Sequence, residues 1–258
     1  MATIGKRSAS LLALVVLALA GAALAGATSP GKNGRIVFRR YLDPARTTSA
    51  IFTANPDGTN ERQITHPPAG VDDREADWSP SGAEIAFERK VPCPADGPKN
   101  GLQNTCDLVY TVGRNGKHLT ALVPCGFDAS APFPGNCVGV DDPAWSPDGS
   151  RLAFQYNLVD RAYTGSLNVD AGIWTVRRNG TGLRQVTQRT PGTAWDSGPQ
   201  WSPDGGRLVF QRFDFTTQSD AVFTVAVDGA DEVQATPWQL GAGDHPDWSP
   251  DGDRKSVV

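Results

Sequence analysis

The sequence predicts an all-β protein, a β-propeller made of four-stranded antiparallel blades. The first observation is a repeated ten-residue motif, WSPDGSRLAF in one copy, in which a Pro-Asp-Gly turn joins a tryptophan to a short apolar run. The second is the spacing of four copies, 67, 56 and 47 residues apart, which fits a supersecondary unit enlarged by insertions. The third is a hairpin signal between the copies. The copies begin at Trp78, Trp145, Trp201 and Trp248.

Each motif predicts a strand, a forced turn and a second strand. Proline presets φ near about −65°, and the glycine after it accepts the left-handed conformation that turns the chain back. The runs at 152–154 and 208–210 are apolar and bounded by turn residues, as a buried strand requires. Because the tryptophan recurs at the same point of every unit, we expect it to pack between neighbouring blades. Stacking on a ligand is the alternative.

The hairpin signal is an Asn-Gly or Asp-Gly pair between two short runs of β-forming residues. It completes a unit of four strands: strand a ends at the tryptophan, strand b follows the turn, and strands c and d form the hairpin. Repeated units of this kind are typical of propeller blades, which leave only short edges unprotected. The predicted blades cover 34–65, 76–123, 143–187 and 199–236, and a partial repeat covers 245–258.

The four motif copies, together with IFTANPDGTNERQIT at 51–65, resemble the WD-like β-propeller repeats of the TolB family. The resemblance covers nearly all of the chain after its first 27 residues. It implies an exported, non-enzymatic propeller that binds a protein or peptide. The same repeats also resemble the propellers of prolyl oligopeptidase-type peptidases and of some polysaccharide lyases, so the resemblance specifies the fold better than the function.

Two departures from the TolB pattern concern the number of blades. Lys255 stands at a core position that is aliphatic in the other three copies, where a charge is costly. The chain supplies strands b, c and d of a first blade, three whole blades and a final strand a, whereas TolB-type propellers have six blades. We favour a truncated six-bladed propeller. The alternative is a ring of four blades in which the final strand a completes the first.

The N-terminus has the pattern of a secretory signal peptide, predicted at 1–27. Lys6 and Arg7 precede an apolar run at 11–25, and small residues at 23–27 offer cleavage sites. An uncleaved membrane anchor is the alternative, because the run approaches the lower limit of about 17 residues for a span. Cleavage would remove two cations from a chain of net charge −4. An acidic exported protein without a basic stripe does not fit nucleic-acid binding. After cleavage of the signal we expect no stable membrane insertion.

All the long insertions fall in the b–c and d–a connections, whereas the a–b and c–d turns are tight. In an up-and-down blade the b–c and d–a connections leave the same face, here called the loop face; the tight turns form the turn face. Long loops on a rigid scaffold are where binding tends to reside. We therefore expect a partner on the loop face, in the periplasm, at the cell surface or in the medium.

The candidate binding residues are acids just before strand a and two tryptophans outside the repeat register. Around the mouth of a central channel, the carboxylates would attract a cation or a basic peptide. Aspartate is also common in turns, where it satisfies local backbone donors. An exposed tryptophan is a plausible anchor for a partner, although it can equally pack against a loop. The candidates are Asp72, Asp73, Asp141, Asp142, Asp196, Asp244, Trp195 and Trp238.

The four cysteines all lie in the long connections of the second repeat and its junction with the third. An even number of cysteines in an exported chain predicts disulfides. Of three connectivities, we favour pairing within each connection, Cys93 with Cys106 and Cys125 with Cys137. A four-thiolate metal site is disfavoured because no pair is separated by only two residues.

No motif in the chain specifies catalysis. Gly-x-Ser-x-Gly, His-Glu-x-x-His and a phosphate-binding glycine-rich loop are absent, and the three histidines lie in unrelated contexts. The sequence therefore predicts no catalytic residue, cofactor or metal ion.

Overall fold

The computed structural model describes residues 34–92, 105–123, 137–159, 169–188, 192–249 and 255–256, and their regular secondary structure is nearly all β-strand. The first repeat has β1 (Ile36–Tyr41), β2 (Ser49–Ala54) and β3 (Arg62–Gln63). The second has β4 (Asp72–Trp78), β5 (Glu84–Pro92), β6 (Thr105–Gly113) and β7 (Thr120–Ala121). The third has β8 (Cys137–Trp145), β9 (Arg151–Val159), β10 (Val169–Arg177) and β11 (Arg184–Gln185). The fourth has β12 (Ala194–Trp201), β13 (Arg207–Asp214), β14 (Ser219–Ala226) and β15 (Val233–Gln234).

A short 3₁₀ helix, Trp238–Leu240, and the strands β16 (Asp247–Trp248) and β17 (Lys255–Ser256) follow the fourth repeat. Consecutive strands of each repeat pair antiparallel, in the order a, b, c, d. The all-β fold class is therefore confirmed. Within the described ranges, no helix is long and apolar enough to cross a membrane.

Neighbouring repeats meet where strand c of one repeat runs parallel to strand a of the next. The parallel contacts are Ser49 with Asp72, Asp107 with Gly139, and Ala171 with Trp195. Strands a and c therefore start side by side, and the b–c and d–a connections leave the same face. Strands a of successive repeats also contact one another, so they are the innermost strands and line the propeller axis.

The Ser-Pro-Asp-Gly turn is held by side chains of the motif itself. Ser146 Oγ donates to Asp148 Oδ1 at 2.6 Å and accepts from the backbone N–H of Arg151 at 3.0 Å. Gly149 has φ 68°, a left-handed conformation that favours glycine. The fourth repeat makes the same bonds through Ser202 and Asp204. The motif is thus a complete turn-forming unit.

Each repeat tryptophan packs in a cluster that combines its own repeat with the preceding one. Trp145 lies with Ala86 and Val109 of the second repeat as well as with Phe154 of its own. Trp201 is 6% exposed, and its Nε1–H donates to the carbonyl of Ala144 at 3.1 Å. Burial of a large aromatic side chain at every junction holds adjacent blades in register.

Strand a begins earlier than the sequence pattern places it. The predicted starts at 76, 143 and 199 are too late, because β4, β8 and β12 begin at Asp72, Cys137 and Ala194. Prolines and charged residues in this stretch indicated a loop, but a β-bulge and buried ion pairs let them remain in the strand. Several candidate acids therefore lie on the innermost strand rather than in a loop.

Two sequence predictions fall largely outside the described residues. The proposed signal peptide at 1–27 does so entirely, as do Cys93 and Cys125. Cys106 is buried and disulfide-bonded. The pairing of the four cysteines stays a prediction.

Candidate functional site

A β-bulge lies at the same place in β4, β8 and β12. The register shifts just before the tryptophan in β4, β8 and β12. The residue three places before the tryptophan has a left-handed backbone in all four copies of the motif, with φ between 46° and 57°. Bulges re-aim side chains and are common near functional sites. These residues are Glu75, Asp142, Gly198 and His245.

Three of these four residues form an axial group, defined as Glu75, Asp142 and His245. One ligating atom from each lies within 4.8 Å of the others. The backbone N–H of Gly198 donates to Asp142 Oδ2 at 3.2 Å, and burial raises the pKa of Asp142 above its usual range. The axis therefore presents two carboxylates and an imidazole from three different repeats.

The residue immediately before the tryptophan adds a second acidic layer to the axis. Asp77 Oδ2 accepts the backbone N–H of Trp145 at 2.8 Å. Burial raises the pKa of Asp77 to about 6, and repulsion from Asp247 acts in the same direction. A cavity of about 1110 Å³ adjoins this layer and is lined by Asp77, Asp247, His245 and the tryptophans Trp78, Trp145 and Trp201.

A buried carboxylate group lies at the junction of the second and third repeats and is defined as Glu88, Asp107 and Asp141. Their ligating oxygens also lie within 4.8 Å of one another. Arg74 contacts Glu88 through two nitrogens and lies 3.6 Å from Asp107. Burial raises the pKa of Asp141 to about 7 and that of Glu88 to about 10, with repulsion between the carboxylates adding to both.

Two other candidate acids are enclosed in ion pairs. Asp73 and Asp196 are 0% exposed and accept two hydrogen bonds each, from Arg89 at 2.6 and 2.8 Å and from Arg212 at 2.7 and 3.0 Å. Each pair joins opposite residues of strands a and b. These carboxylates are positioned to hold the strands together rather than to contact a partner.

The remaining candidates differ in accessibility. Trp195 is 39% exposed, whereas Trp238 is half-buried and packs against Phe223 with ring centroids 5.5 Å apart. Asp244 is exposed and lies 3.5 Å from His245. Asp72 accepts a hydrogen bond from Ser49 and lies 3.8 Å from Arg74. The structure thus places Asp142 at the axis and Asp141 in the buried carboxylate group. Trp195 and Asp244 stay accessible to solvent.

Sequence reasoning missed Glu75, Glu88, Asp107 and His245. An alignment of the repeats on their tryptophans would have placed Glu75 and His245 in register with Asp142. Glu88 and Asp107 gave no such signal, because both were assigned to a loop and they meet only when strands b and c pair.

Comparison with solved structures shows a TolB-like β-propeller. The chain is similar to TolB from Acinetobacter baumannii, with a TM-score of 0.58, 15% identity, and coverage of 89% of this chain and 48% of that one. It is also similar to a TolB of Agrobacterium tumefaciens, with a TM-score of 0.56, 20% identity, and coverage of 87% and 70%. The predicted TolB-like propeller fold is therefore confirmed.

The same scaffold also resembles peptidase propellers. A prolyl endopeptidase structure matches with a TM-score of 0.52 and 14% identity over 85% of this chain and 30% of that one. The uncharacterized peptidase YuxL of Bacillus subtilis (strain 168) is 29% identical over 119 residues, 45% of this chain. The chain spans only 16% of the length of that relative. No protein-family model matches.

Proposed function

We propose that this chain is an exported, non-enzymatic propeller that binds a protein or peptide through its loop face. The observation that carries the proposal is the parallel start of strands a and c, which collects all the long connections on one face. Long connections on a rigid strand scaffold are suited to recognition. The tight turns leave the opposite face nearly uniform.

The accessible residues of the loop face favour a partner segment that carries Lys or Arg. Asp142 and Glu75 lie on the innermost strands, Asp244 is exposed beside them, and Trp195 offers an exposed aromatic ring. Negative potential attracts a cationic segment, and an aromatic side chain can anchor it by apolar and cation–π contact. Asp73, Asp196 and Trp238 support the scaffold through their ion pairs and packing.

Affinity capture with the purified chain as bait, from periplasm or culture medium of the native cell, tests the binding face. A variant combining Trp195→Ala, Asp142→Asn and Asp244→Asn should lose the captured partner at least tenfold. The matched control combines Arg114→Glu and Lys117→Glu, two exposed residues of a turn-face hairpin, and should retain it. Loss of the partner only in the control would assign binding to the turn face and contradict the proposal.

A second candidate is the propeller portion of a serine peptidase, which the 119-residue similarity to YuxL favours. In that case the hydrolase residues would be supplied by sequence outside these 258 residues. The coding sequence downstream of Val258 separates the two functions. Further Trp-Ser-Pro-Asp-Gly repeats favour the binding scaffold, and a Gly-x-Ser-x-Gly segment followed by Asp and His favours the peptidase.

A further inference from the structure

We propose that the buried carboxylate group, Glu88, Asp107 and Asp141, binds a divalent cation, and that calcium is the ion its oxygen ligands fit. This site is separate from the partner surface of the loop face. Its three ligands come from strand b and strand c of the second repeat and from strand a of the third. A bound ion would therefore tie two blades together.

The spacing of the three oxygens allows all of them to bind one ion. Calcium binds carboxylate oxygens at about 2.3–2.6 Å, so two ligands of one ion lie at most about 5 Å apart. The ligating oxygens of the group are all within 4.8 Å of one another. An all-oxygen set suits calcium, magnesium or manganese, whereas zinc is usually held by nitrogen and sulfur.

Two oxygens of the group are buried and lack any hydrogen-bond partner. They are Oδ1 of Asp107 and Oδ1 of Asp141. The other oxygen of Asp141, Oδ2, accepts a hydrogen bond from Asn157, which orients the carboxylate. A buried carboxylate oxygen without a donor is costly, and a cation removes that cost by direct coordination.

The guanidinium of Arg74 contacts Glu88 and Asp107 rather than Asp141. Both contacting nitrogens of Arg74 approach the same oxygen of Glu88, so this guanidinium does not bridge to Asp141. Lys90 lies directly opposite Asp107 in the pairing of strands b and c, and its charge acts on that carboxylate.

The edge of the group at Asp107 is open to solvent, and Gly139 leaves out a side chain that would crowd Asp141. Gly139 lies beside the group, and a Cβ there would come within 3.1 Å of Asn157 Nδ2 and 3.4 Å of Asp141 Oδ2. The side chain of Asp107 keeps 18% exposure, so the group opens to solvent along one edge. Glu88 closes the inner side at 1% exposure.

The fourth repeat has uncharged side chains at two of the equivalent positions, and its aspartate is satisfied without a cation. Ser197 and Gln211 replace Arg74 and Glu88 at opposite positions of strands a and b. Gln211 Nε2 donates to Asp220 Oδ1 at 2.6 Å. In the fourth repeat an amide donor satisfies the aspartate, whereas in the second repeat Glu88 brings a further carboxyl group close to Asp107.

Calorimetric titration of the EDTA-treated, dialysed full chain with calcium chloride at pH 7.5 tests the proposal. We expect saturable binding of one ion per chain and a melting temperature that rises by several degrees in millimolar calcium. Glu88→Gln and Asp107→Asn should each weaken binding at least tenfold.

Two controls distinguish this site from its alternatives. Asp220→Asn, in the fourth repeat, should bind calcium as the parent chain does. Glu75→Gln should also leave binding intact, because it changes only the axial group. Glu88→Gln is expected to fold, since Gln155 and Gln211 occupy the equivalent positions. Absence of saturable binding, unchanged affinity in both buried-group variants, or loss of binding in Glu75→Gln alone would overturn the proposal.

Discussion

The second and fourth repeats share their strands, their turn and a buried ion pair, yet they differ in the polar residues next to that pair. In both, an aspartate of strand a binds an arginine of strand b with two hydrogen bonds. The adjacent layer contains Arg74 and Glu88 in the second repeat and Ser197 and Gln211 in the fourth. The repeat therefore specifies the scaffold, whereas the charged residues at a few inward positions differ from blade to blade.

The third repeat extends the comparison. It has Val140 and Tyr156 where the other two have the aspartate and arginine, and both side chains are 0% exposed. The fold therefore accepts either a fully satisfied ion pair or an apolar pair at this place. It does not accept half of an ion pair, because an unpaired buried charge is costly.

The largest expected effect comes from the tryptophans at the blade junctions. Trp201→Ala should lower the free energy of unfolding by about 3–5 kcal/mol, the usual cost of truncating a buried tryptophan. Trp78→Ala should cost less, because Trp78 is only half-buried. Denaturant unfolding of both variants measures the difference. A change below about 1 kcal/mol for Trp201→Ala would show that the tryptophan does not hold the blades together.

The ion pair of the second repeat gives the next largest effect. Arg89→Tyr alone should destabilise the chain by about 3 kcal/mol, because Asp73 is left buried without its partner. Adding Asp73→Val recreates the pair found in the third repeat and should restore most of the loss. Chemical denaturation of the single and double variants tests this. If the double variant were no more stable than Arg89→Tyr alone, the cost of the single substitution would not come from leaving Asp73 without its partner.

The buried carboxylate of Asp77 should make the stability of the chain depend on pH. Asp77 corresponds to Gln200 in the fourth repeat, and its pKa is raised to about 6 from an ordinary value of 3.8. The folded state thus keeps a proton that the unfolded chain loses first. This contribution is fully present below about pH 4 and is lost as pH rises through about 6, an effect of at most about 3 kcal/mol.

Asp77→Asn should flatten this part of the profile. Asparagine can still accept the Trp145 N–H through its oxygen but does not titrate. Thermal unfolding of both proteins between pH 4 and 7 provides the measurement. A parent chain whose stability rises over this range in step with the variant would contradict the assignment of a buried, proton-holding Asp77.

The smallest effect belongs to the turn of the fourth repeat. Hydrogen bonds from Ser202 and from the Gly206 N–H lower the pKa of Asp204. Its stabilisation is therefore present at neutral pH and lost as pH falls through its lowered pKa, opposite in direction to that of Asp77. Because Asp204 is exposed, Asp204→Asn should cost only a few tenths of a kcal/mol at pH 7. The loss should vanish once the pH falls below the lowered pKa of Asp204.

Much of the fold was predictable from the sequence, because turn chemistry and apolar periodicity are local. Pro147, Gly149 and the run that follows them specify a turn and a buried strand without any distant contact. The start of strand a was not predictable, since Asp73 and Asp142 have low strand propensity alone. They are accommodated by Arg89 on a neighbouring strand and by a bulge.

The candidate sites were predictable only in part for the same reason. Asp141 and Asp142 stand out as adjacent acids, but the side chains of their groups come from strands distant in sequence. Glu88 resembles an ordinary solvent-facing acid until strand pairing places it against Asp107. Three-dimensional convergence, rather than local composition, makes these groups distinctive.

The most direct test of the account is site-specific photo-crosslinking of the whole chain in its native envelope or medium. A benzophenone amino acid replaces Trp195 on the loop face in one variant and Asn179, in an exposed turn-face hairpin, in the other. The account predicts a discrete crosslinked partner with the label at 195 and none at 179. A discrete product at 179 with none at 195 would place the binding surface on the opposite side of the propeller and contradict the central claim.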